Sequence, residues 1–435
     1  MNKTVQINQS VPVKYKVDVC VAGGGPAGVA AAVSAAGNGA KVFIGESCGC
    51  FGGLGTCGLV PAFCGVGNGK RFLGGSICRK VFDIMQIPSG ELEREFSFID
   101  VEKLKCTYDK MIIASNVQYA FEVKMIAVNT ENGVVKNAIF ADGSDSGLFA
   151  VEAKVFIDCT GNGDLAVRAG AYYTQGNAKG IPMPSSLCSL WNNVDWDEYK
   201  KANVNLFQLL LQAIDDGVFK EPDWHHSGMF PVGNSLAGGN FSHAFGIRAN
   251  EHQDTSAAWM DLRRKLEEFK YFYNKYVPGF SHAELCMSAS LLGVRECRRI
   301  IGDYIMTIDD FNARRRFDDE IGQFAYPVDI HPLDATKGEF ERFQREFYGN
   351  LRYKDGECYG IPYRILIPAK LHNVLTAGRC VSTDQQMAAS IRVMPGCFLT
   401  GEAAGCAAAM ASATANGEVR NISIPVLQNK LGISN

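Results

Sequence analysis

Three glycines and one acidic residue near the start of the chain have the spacing of a dinucleotide-binding site. Gly23, Gly25 and Gly28 form a GxGxxG pattern after an apolar run, and Glu46 follows Gly28 by eighteen positions. Glycines at these positions permit a tight turn, close approach of the backbone to a pyrophosphate and close packing of the next helix. A carboxylate at the end of the next strand can accept hydrogen bonds from both ribose hydroxyls. The pattern therefore predicts binding of an adenine dinucleotide.

The elements that must position this motif are a strand, a helix and a second strand. Residues 17–22 are apolar, too short for a helix and followed by glycines, as in a buried parallel strand. Residues 26–36 predict a helix that begins at Pro26 and contains Ala27 among many small side chains, so that its N-terminus faces the phosphates. Residues 41–44 predict the second strand, which completes a βαβ unit.

Later segments predict further strands of the same sheet. Residues 117–151 carry β-branched and aromatic runs broken by Asn-Gly and Asp-Gly turn signals, which predicts a three-stranded meander. Residues 154–157 and 373–378 have the character of buried parallel strands, and an Ala- and Gly-rich helix is expected at residues 395–413. The predicted fold class is therefore α/β, with a sheet to which the end of the chain returns.

The residues after Glu46 distinguish FAD from NAD. Glu46 is followed by Ser47 and, a few positions later, by the pair Gly52 and Gly53. At this point the sequence resembles the glutathione-reductase-like, two-dinucleotide-binding-domain flavoproteins, in which such a glycine pair runs along FAD. The resemblance implies FAD as the cofactor, and it extends to further positions expected to contact FAD: Val123, Thr160, Gly161, Gly378 and Arg379.

The sequence carries no second GxGxxG after a strand. The glycines of residues 401–405 lie within a predicted helix. A separate NAD(P)H domain is therefore not expected, and direct hydride delivery from a bound nicotinamide nucleotide is disfavoured.

A finer resemblance comes from four segments in the second half of the chain. They are similar to a bacterial family called FAD-dependent oxidoreductases, and the match spans most of the chain; the segments are residues 293–304, 326–331, 359–364 and 388–395. This resemblance implies a Rossmann-like FAD/NAD(P)-binding fold with three layers (ββα) and an inserted α+β substrate or cap lobe. It implies no particular substrate.

The inserted lobe is expected at residues 170–348. This segment holds six of the seven histidines and all four tryptophans, in mixed helical and irregular stretches. The FAD-binding domain is then discontinuous, with a first part at residues 1–169 and a second part at residues 349–435. A chain of 435 residues exceeds the usual size of one hydrophobic core, which fits two lobes.

The N-terminus of the last predicted helix is a candidate partner for the flavin. Reduced flavin carries negative charge at its N1/O2 edge, which a helix N-terminus or a cation stabilises. Pro395 suits the first helical position. The backbone N–H groups of Gly396 and Cys397 are then expected to point at O2, with Arg392 nearby. The alternative is that Arg392 binds a phosphate or pairs with an acid.

Four side chains in the segments of family resemblance have suitable chemistry for a substrate: His331, Arg295, Tyr363 and Arg364. A guanidinium can hold a carboxylate through two hydrogen bonds. A histidine or tyrosine can carry the proton that accompanies hydride transfer. The alternative for each residue is a structural role in core hydrogen bonds or interlobe ion pairs.

Several cysteines suggest thiol-disulfide exchange as an alternative chemistry. Cys57 lies close to where disulfide reductases hold their redox pair, with Cys64 seven positions on, and Cys48 and Cys50 form a second candidate pair. The spacing after the glycine pair departs from that of the reductases, so small buried thiols are the default expectation.

A metal site is not expected from the sequence. The neighbours His225 and His226 lack the helical i, i+4 spacing of paired ligands, and we identified no Cys/Asp cluster near them.

Composition narrows the class of partner and the compartment. A net charge of -3 and a pI of about 6.2 give no footprint for nucleic acid or an anionic membrane surface. The N-terminus lacks the apolar core of a secretory signal, and no apolar run reaches the roughly 18 residues of a membrane span. Fifteen cysteines indicate reduced thiols rather than a disulfide framework. The expected location is the cytoplasm.

These observations predict an FAD-dependent oxidoreductase. Hydride is expected to pass between flavin N5 and a small polar substrate. The electrons are then expected to pass to an unidentified acceptor, or to come from an unidentified donor. One alternative is a cysteine-assisted thiol-disulfide reductase. Another is a flavin-bearing redox-sensing or biosynthetic protein, such as a thiazole-synthase-like one. The sequence leaves the oligomeric state and any covalent flavin attachment open.

Overall fold

The computed structural model describes residues 9–88, 96–145, 147–226 and 228–433. The first part of the chain forms the βαβ unit and the strands that extend its sheet. In chain order its elements are β1 (Val13–Ala22), α1 (Pro26–Gly37), β2 (Val42–Gly45), β3 (Ala62–Phe63), α2 (Gly75–Met85), β4 (Ser97–Phe98), α3 (Val101–Ala114), β5 (Gln118–Ala120), β6 (Lys124–Glu131), β7 (Val134–Ala141), β8 (Leu148–Asp158) and α4 (Asp164–Arg168).

The middle of the chain forms short strands and a long helix, and the last part returns to the first sheet. The middle elements are β9 (Tyr173–Gln175), β10 (Ser185–Ser186), β11 (Ser189–Asn192), α5 (Trp196–Ala202), α6 (Leu206–Asp215), β12 (Met229–Pro231), β13 (Ala237–Gly239), β14 (His243–Ala244), α7 (His252–Tyr276), β15 (Glu284–Ser288), β16 (Arg298–Ile300), α8 (Ile308–Ala313), β17 (Glu320–Phe324) and α9 (Lys337–Glu346). The last part comprises β18 (Tyr359–Pro362), β19 (Val374–Thr376), α10 (Gln385–Ile391), α11 (Met394–Thr414) and α12 (Ile424–Lys430).

The main sheet contains the predicted βαβ unit. β1 pairs in parallel with β2 on one side and β8 on the other, and β19 pairs in parallel with β8. Across the described residues this sheet has seven strands, in the order β5-β2-β1-β8-β7-β6, with β19 also paired to β8. Helix α1 begins at Pro26, as the sequence predicts. The fold is mixed α/β with a parallel core, which confirms the predicted Rossmann-like class.

The predicted break between the meander and a separate strand at residues 154–157 is wrong. Leu148–Asp158 is a single strand. Its residues 148–152 pair antiparallel with β7, and its residues 156–158 pair in parallel with β19. Because no glycine or proline interrupts this stretch, nothing ends the strand between its two partners.

The central strands are buried on both faces, which explains their continuous apolar sequences. Val19 and Val21 of β1 belong to the core that contains α1 and α11, whereas Cys20 belongs to the core that contains the meander strands. Successive side chains of a strand point to opposite faces. The helices, the parallel strands and the meander therefore form three layers.

Helix α11 packs directly on α1. A Cβ on Gly401 would lie 2.2 Å from the carbonyl oxygen of Ala27, and one on Gly405 would lie 2.1 Å from that of Ala31. These distances are far below van der Waals contact, so a larger residue would push the helices apart. The glycines of residues 401–405 thus serve helix packing.

A second hydrophobic core lies in the inserted segment. It gathers buried residues between Leu187 and Cys297, together with Leu59. Buried residues between Met306 and Ile330 belong to the first core instead. The second core is thus shorter than the predicted lobe, whose boundaries stay predictions.

Among the described residues, no single helix is both long and apolar enough to cross a membrane. The helices α10 and α11 meet that test only together, across a bend of 90°.

Candidate active site

The turn between β1 and α1 has unusually close backbone contacts on one side and open space on the other. Gly23 has a φ of 96°, and a Cβ there would lie 2.5 Å from the carbonyl oxygen of Cys159. A Cβ on Gly28 would lie 1.9 Å from the carbonyl oxygen of Gly23. A Cβ on Gly25 would meet no described heavy atom within 4 Å. The N-terminus of α1 therefore has a free face that fits a pyrophosphate.

Glu46 follows β2 directly, where the sequence predicts a ribose-binding carboxylate. Its Oε2 accepts a hydrogen bond from the backbone N–H of Gly24 at 2.6 Å. Its Oε1 accepts from the backbone N–H of Cys48 at 2.8 Å and from the hydroxyl of Ser47 at 3.1 Å. The backbone N–H of Val123 donates to the Glu46 carbonyl. These bonds hold a buried carboxylate beside the glycine turn.

The glycine pair after Glu46 passes over the same turn. The backbone N–H of Gly52 donates to the carbonyl of Gly24 at 2.8 Å, and a Cβ on Gly53 would lie 3.2 Å from the Cα of Gly25. The position of the pair is therefore that expected of residues that run along a dinucleotide.

Two more predicted segments reach this turn from other parts of the chain. A Cβ on Gly23 would lie 2.9 Å from the Cα of Thr160, and one on Gly378 would lie 3.0 Å from the Cβ of Ala27. Residues 23–28, 46–53, 160–161 and 378–379 thus form one cradle around the start of α1. The free glycine face and the adjacent carboxylate of this cradle fit the predicted FAD.

The start of α11 differs from the prediction in detail. The helix begins at Met394, so Pro395 occupies its second position. The backbone N–H of Cys397 donates to the Val393 carbonyl at 2.9 Å and is therefore not free to bind a flavin oxygen, contrary to the prediction. The N–H of Gly396 lies in the first turn, where helical N–H groups lack an intrahelical partner.

Arg392 pairs with an acid, which was the alternative to flavin binding. Its Nη2 donates to the carboxylate and to the carbonyl oxygen of Asp329, both at 3.0 Å. Its Nε is buried and has no hydrogen-bond partner among the described residues. The Nε–H donor of this guanidinium thus remains for a further acceptor.

A cleft of about 560 Å³ lies between the cradle and the inserted lobe, and we call it the central cleft. One part of its lining is charged or polar: His225, Arg295, Asp329, His331, Arg379 and Arg392. Another part is aromatic: Phe96, Phe207, Trp224, Phe230, Phe340 and Phe343. Of the four predicted substrate residues, the structure brings Arg295 and His331 together here.

Arg379 connects the cradle to the central cleft. Its Nε donates to the carbonyl of Gly161 at 3.3 Å, and its Nη2 donates to Oδ1 of Asn162 at 3.2 Å. Burial lowers the pKa of the guanidinium, and the side chain lines the cleft. The substrate space and the cofactor cradle therefore share this residue.

Arg295 is a buried cation in the cleft wall. Its Nη1 donates to the carbonyl of Pro184 at 2.9 Å and to the hydroxyl of Ser186 at 2.8 Å. Burial, followed by the charge of Arg392, lowers the pKa of Arg295 to about 10, so it stays charged at neutral pH. Its Nε and Nη2 make no hydrogen bond with the described residues, which leaves one edge of the guanidinium for an anion.

Three histidines from separate segments meet at the cleft, and we call His225, His243 and His331 the imidazole cluster. Nε2 of His243 lies 3.0 Å from Nδ1 of His331. Nδ1 of His243 lies 2.8 Å from the Asp223 carboxylate, and Nε2 of His331 lies 3.5 Å from the Asp329 carboxylate. Nδ1 of His225 is buried without a partner among the described residues.

The rings of the imidazole cluster are neutral at neutral pH. Burial lowers the pKa of His225 to about 4 and also lowers that of His243. Burial and the nearby charge of Arg295 hold the pKa of His331 well below its usual range. Burial alone would raise the pKa of Asp223, but His243 beside it lowers that pKa to about 2.

Tyr363 and Arg364 do not reach the central cleft, contrary to the prediction. The hydroxyl of buried Tyr363 donates to the Val419 carbonyl at 2.9 Å. Arg364 is half-exposed and pairs with the Asp319 carboxylate at 3.0 Å. Both residues follow β18 and stabilise its surroundings, which is the structural alternative considered for them.

The sequence interpretation missed Asp223 and His243 and dismissed His225. Asp223 lies two positions before His225, and this short spacing was a signal that the sequence offered. The carboxylate also accepts from the backbone N–H of His225 at 3.2 Å and of His243 at 2.9 Å. The meeting with His331, 88 positions beyond His243, had no sequence signal.

The structure pairs the thiols differently from both predicted pairs. Sγ of Cys57 lies 3.3 Å from Sγ of Cys50, and Cys48 also interacts with Cys57. Cys64 is in the wall of the central cleft instead, where burial raises its pKa to about 12. The neighbouring thiol of Cys57 raises the pKa of Cys50, and that of Cys48 raises the pKa of Cys57. These thiols are therefore protonated and weakly nucleophilic at neutral pH.

Most of the chain is similar to known proteins. The family model described as FAD dependent oxidoreductase matches residues 18–431. No curated protein matches the chain. A geranylgeranyl bacteriochlorophyll reductase-like protein from Thermoplasma acidophilum aligns over 96% of this chain and 82% of its own, with 14% identity and a TM-score of 0.45.

Two further solved structures align over similar lengths. The flavin-dependent brominase Bmp2 covers 96% of this chain and 83% of its own, with 12% identity and a TM-score of 0.45. The p-nitrophenol 4-monooxygenase PnpA from Pseudomonas putida DLL-E4 covers 96% and 84%, with 12% identity and a TM-score of 0.43. At these values the solved structures carry no argument about substrate or reaction.

Proposed function

This chain belongs to the FAD-dependent oxidoreductase family, and from that premise we propose that it transfers hydride between FAD and a small anionic substrate held in the central cleft. The observation that supports the proposal is that Arg295 is a buried cation with hydrogen-bond donors unused by the described residues. This buried guanidinium lines the cleft and is held by Pro184 and Ser186 through Nη1 alone. Asp329 and Asp223 act on this charge from a distance, without a direct ion pair among the described residues. Because a buried charge with no anion in contact is costly, a carboxylate or similar anion is the ligand expected at its open edge.

The aromatic part of the cleft supports a second feature of the substrate. Phe230 and Trp224 line the same cleft as the charged residues, and Phe343 packs edge-on to His225 at 4.9 Å between ring centroids. Burial of an apolar group against such rings contributes roughly 25 cal/mol per Å². We therefore expect the substrate to combine an anionic head with an apolar body.

When bound, FAD supplies the two-electron carrier that accepts or donates the hydride. The residues of the chain bind the substrate, orient it and move its proton. Arg295 holds the anionic group, and Arg379 fixes the wall shared with the cradle. His331 and Asp329, 3.5 Å apart at the cleft surface, are the proposed route for the proton of the substrate oxygen.

The experiment that tests this proposal is anaerobic reduction of the purified, FAD-containing protein by defined compounds. Hydroxy acids with an aryl or alkyl chain should bleach the flavin absorbance. The uncharged alcohols and amides of the same carbon skeleton serve as matched controls, and they should bleach it far more slowly. Equal rates with the charged and uncharged compounds would contradict the anionic substrate.

Thiol-disulfide reduction is the second candidate, and the contact between Cys50 and Cys57 is the observation in its favour. The raised pKa values of both thiols speak against it, because the thiolate is the reactive form. Reduction of the flavin by dithiols, abolished in both Cys50→Ser and Cys57→Ser, would favour this candidate over the hydroxy acids.

We also propose that the chain belongs to the glutathione-reductase-like superfamily and that it exchanges electrons with a separate acceptor or donor. A cytoplasmic location is part of the same proposal, because fifteen cysteines are kept reduced in that compartment.

A further inference from the structure

The imidazole cluster has the arrangement of a metal site. His225, His243 and His331 each offer one ring nitrogen, and these three atoms all lie within 4.8 Å of one another. The ring centroids of His225 and His331 are 4.7 Å apart, and those of His243 and His331 are 5.1 Å apart. Three imidazoles that converge in this way match the donor set of His₃ metal sites.

Carboxylates stand behind two of the three rings. Asp223 contacts Nδ1 of His243 at 2.8 Å, on the side of the ring away from His331. Asp329 lies 3.5 Å from Nε2 of His331, again on the side away from the facing imidazole. Carboxylates that hold the outer nitrogen of a ligating histidine fix its tautomer and raise its basicity. The outer nitrogens are thus engaged, and the inner ones face each other.

The third ring and the position of the cluster point to a ligand. His225 is partly exposed, but its Nδ1 is buried and has no hydrogen-bond partner among the described residues. His225 and His331 both line the central cleft, so an ion held by this cluster would lie at the cleft wall. An open position beside a substrate space distinguishes catalytic metal sites from closed structural ones.

We infer that His225, His243 and His331 bind one divalent metal ion of the zinc class. Neutral imidazole suits such borderline ions. The carboxylates of Asp223 and Asp329 offset the charge of the ion. Metal binding does not depend on the proposed hydride transfer. The role of the ion does rest on it: its open position takes an oxygen of the substrate, while Arg295 holds the anionic head. With the ion bound, His331 is a ligand and no longer the carrier of the substrate proton.

This inference replaces the expectation of no metal site, which considered only neighbours along the sequence. If the cluster binds no ion, the contact between His243 and His331 is an ordinary hydrogen bond in a chain from Asp223 to the cleft. Adding zinc distinguishes a metal site from such a hydrogen-bonded chain.

The test measures zinc alone, on the FAD-containing protein freed of metal by a chelator and carrying no histidine tag. Metal content after equilibration with zinc chloride is determined by mass spectrometry, and affinity by calorimetric titration. His225→Gln is the informative variant, because the ring nitrogen Nδ1 has no hydrogen bond that the substitution would break. His282→Gln, on an exposed histidine, is the matched control. The flavin spectrum of each variant reports that the fold is intact.

We expect one zinc ion per chain in the wild type and in His282→Gln, and its loss in His225→Gln. Asp223→Asn should weaken zinc binding by about 10- to 100-fold, since it removes the negative charge behind His243 but keeps an oxygen acceptor for the backbone N–H of His225. Cobalt bound at the same place should give visible bands at longer wavelengths than oxidised flavin absorbs. Absence of stoichiometric zinc in the wild type, or equal zinc in the two glutamine variants, overturns the inference. Either result leaves the hydride-transfer proposal to be judged by flavin reduction.

Discussion

His243 and His331 lie 88 positions apart in the chain, yet their ring nitrogens Nε2 and Nδ1 are 3.0 Å apart. His243 belongs to β14 of the inserted lobe, whereas His331 follows β17 in a segment that packs with the first core. The contact thus joins a segment beside the second core to a segment of the first core. Its integrity depends on the packing of these two segments against each other.

Arg295 should determine the affinity for the substrate but not the binding of FAD. Arg295→Gln removes the cation from the cleft wall, and we expect kcat/KM for an anionic substrate to fall by about a hundredfold or more, in line with the 2–5 kcal/mol cost of truncating a buried charge pair. Arg295→Lys should recover part of this loss, because it keeps the charge but not the two-bond geometry. Arg364→Gln is the control, since Arg364 pairs with Asp319 outside the cleft. A normal KM in Arg295→Gln would remove Arg295 from the account.

Gly25 and Gly28 should respond differently to the same substitution. Gly25→Ala places a methyl group in the open face of the cradle, so we expect a folded protein with weaker FAD binding, measured as flavin content after dialysis. Gly28→Ala places its methyl 1.9 Å from the Gly23 carbonyl, so we expect loss of folding as well as of FAD. Full FAD retention in Gly25→Ala would show that the pyrophosphate does not occupy this face.

The contact between α11 and α1 should limit stability. Gly401→Ala adds a methyl 2.2 Å from the Ala27 carbonyl, and we expect it to lower the free energy of unfolding by about 1–3 kcal/mol. Gly37→Ala, at the end of α1 in open space, is the control and should be neutral or slightly stabilising. Urea denaturation of the FAD-containing proteins provides the measurement. A Gly401→Ala protein as stable as the control would mean that the two helices can separate at little cost.

Mild oxidation should join Cys50 to Cys57. Their sulfur atoms are 3.3 Å apart, whereas Cys64 lies in the cleft wall. We expect peptide mapping after treatment with a disulfide oxidant to find the 50–57 crosslink before any that involves Cys64. A 57–64 crosslink as the first product would restore the reductase-like pairing.

Much of the fold could be predicted because local sequence determines it. The glycine motif, the small residues of α1 and the apolar run of β1 agree on one βαβ unit, and Pro26 marks where the helix begins. The sequence located the start of α11 only to within one residue, and that error assigned a free N–H to Cys397. Helix termini depend on single hydrogen bonds, which a sequence pattern does not resolve.

Only those parts of the site that belong to sequence motifs could be predicted. The cradle residues follow from the glycine pattern and from the resemblance to flavoproteins. His243 has no motif, and Asp223 has only its spacing of two positions from His225. Their contact with His331 arises because segments far apart in the sequence pack together. Tyr363 and Arg364 were selected because their segment resembles the family, but Tyr363 points at the Val419 carbonyl and Arg364 at Asp319. Resemblance of a segment does not specify which side chains face the cleft.

The most direct test of the central claim is anaerobic flavin reduction, followed in the visible spectrum of wild-type protein and of Arg295→Gln. We expect the wild type to be yellow with FAD and to bleach with a hydroxy acid that carries an apolar chain. Arg295→Gln should keep the same oxidised spectrum and bleach about a hundredfold more slowly at low substrate concentration. A colourless protein that FAD does not reconstitute would contradict the account, as would equal bleaching of both proteins by every anionic compound.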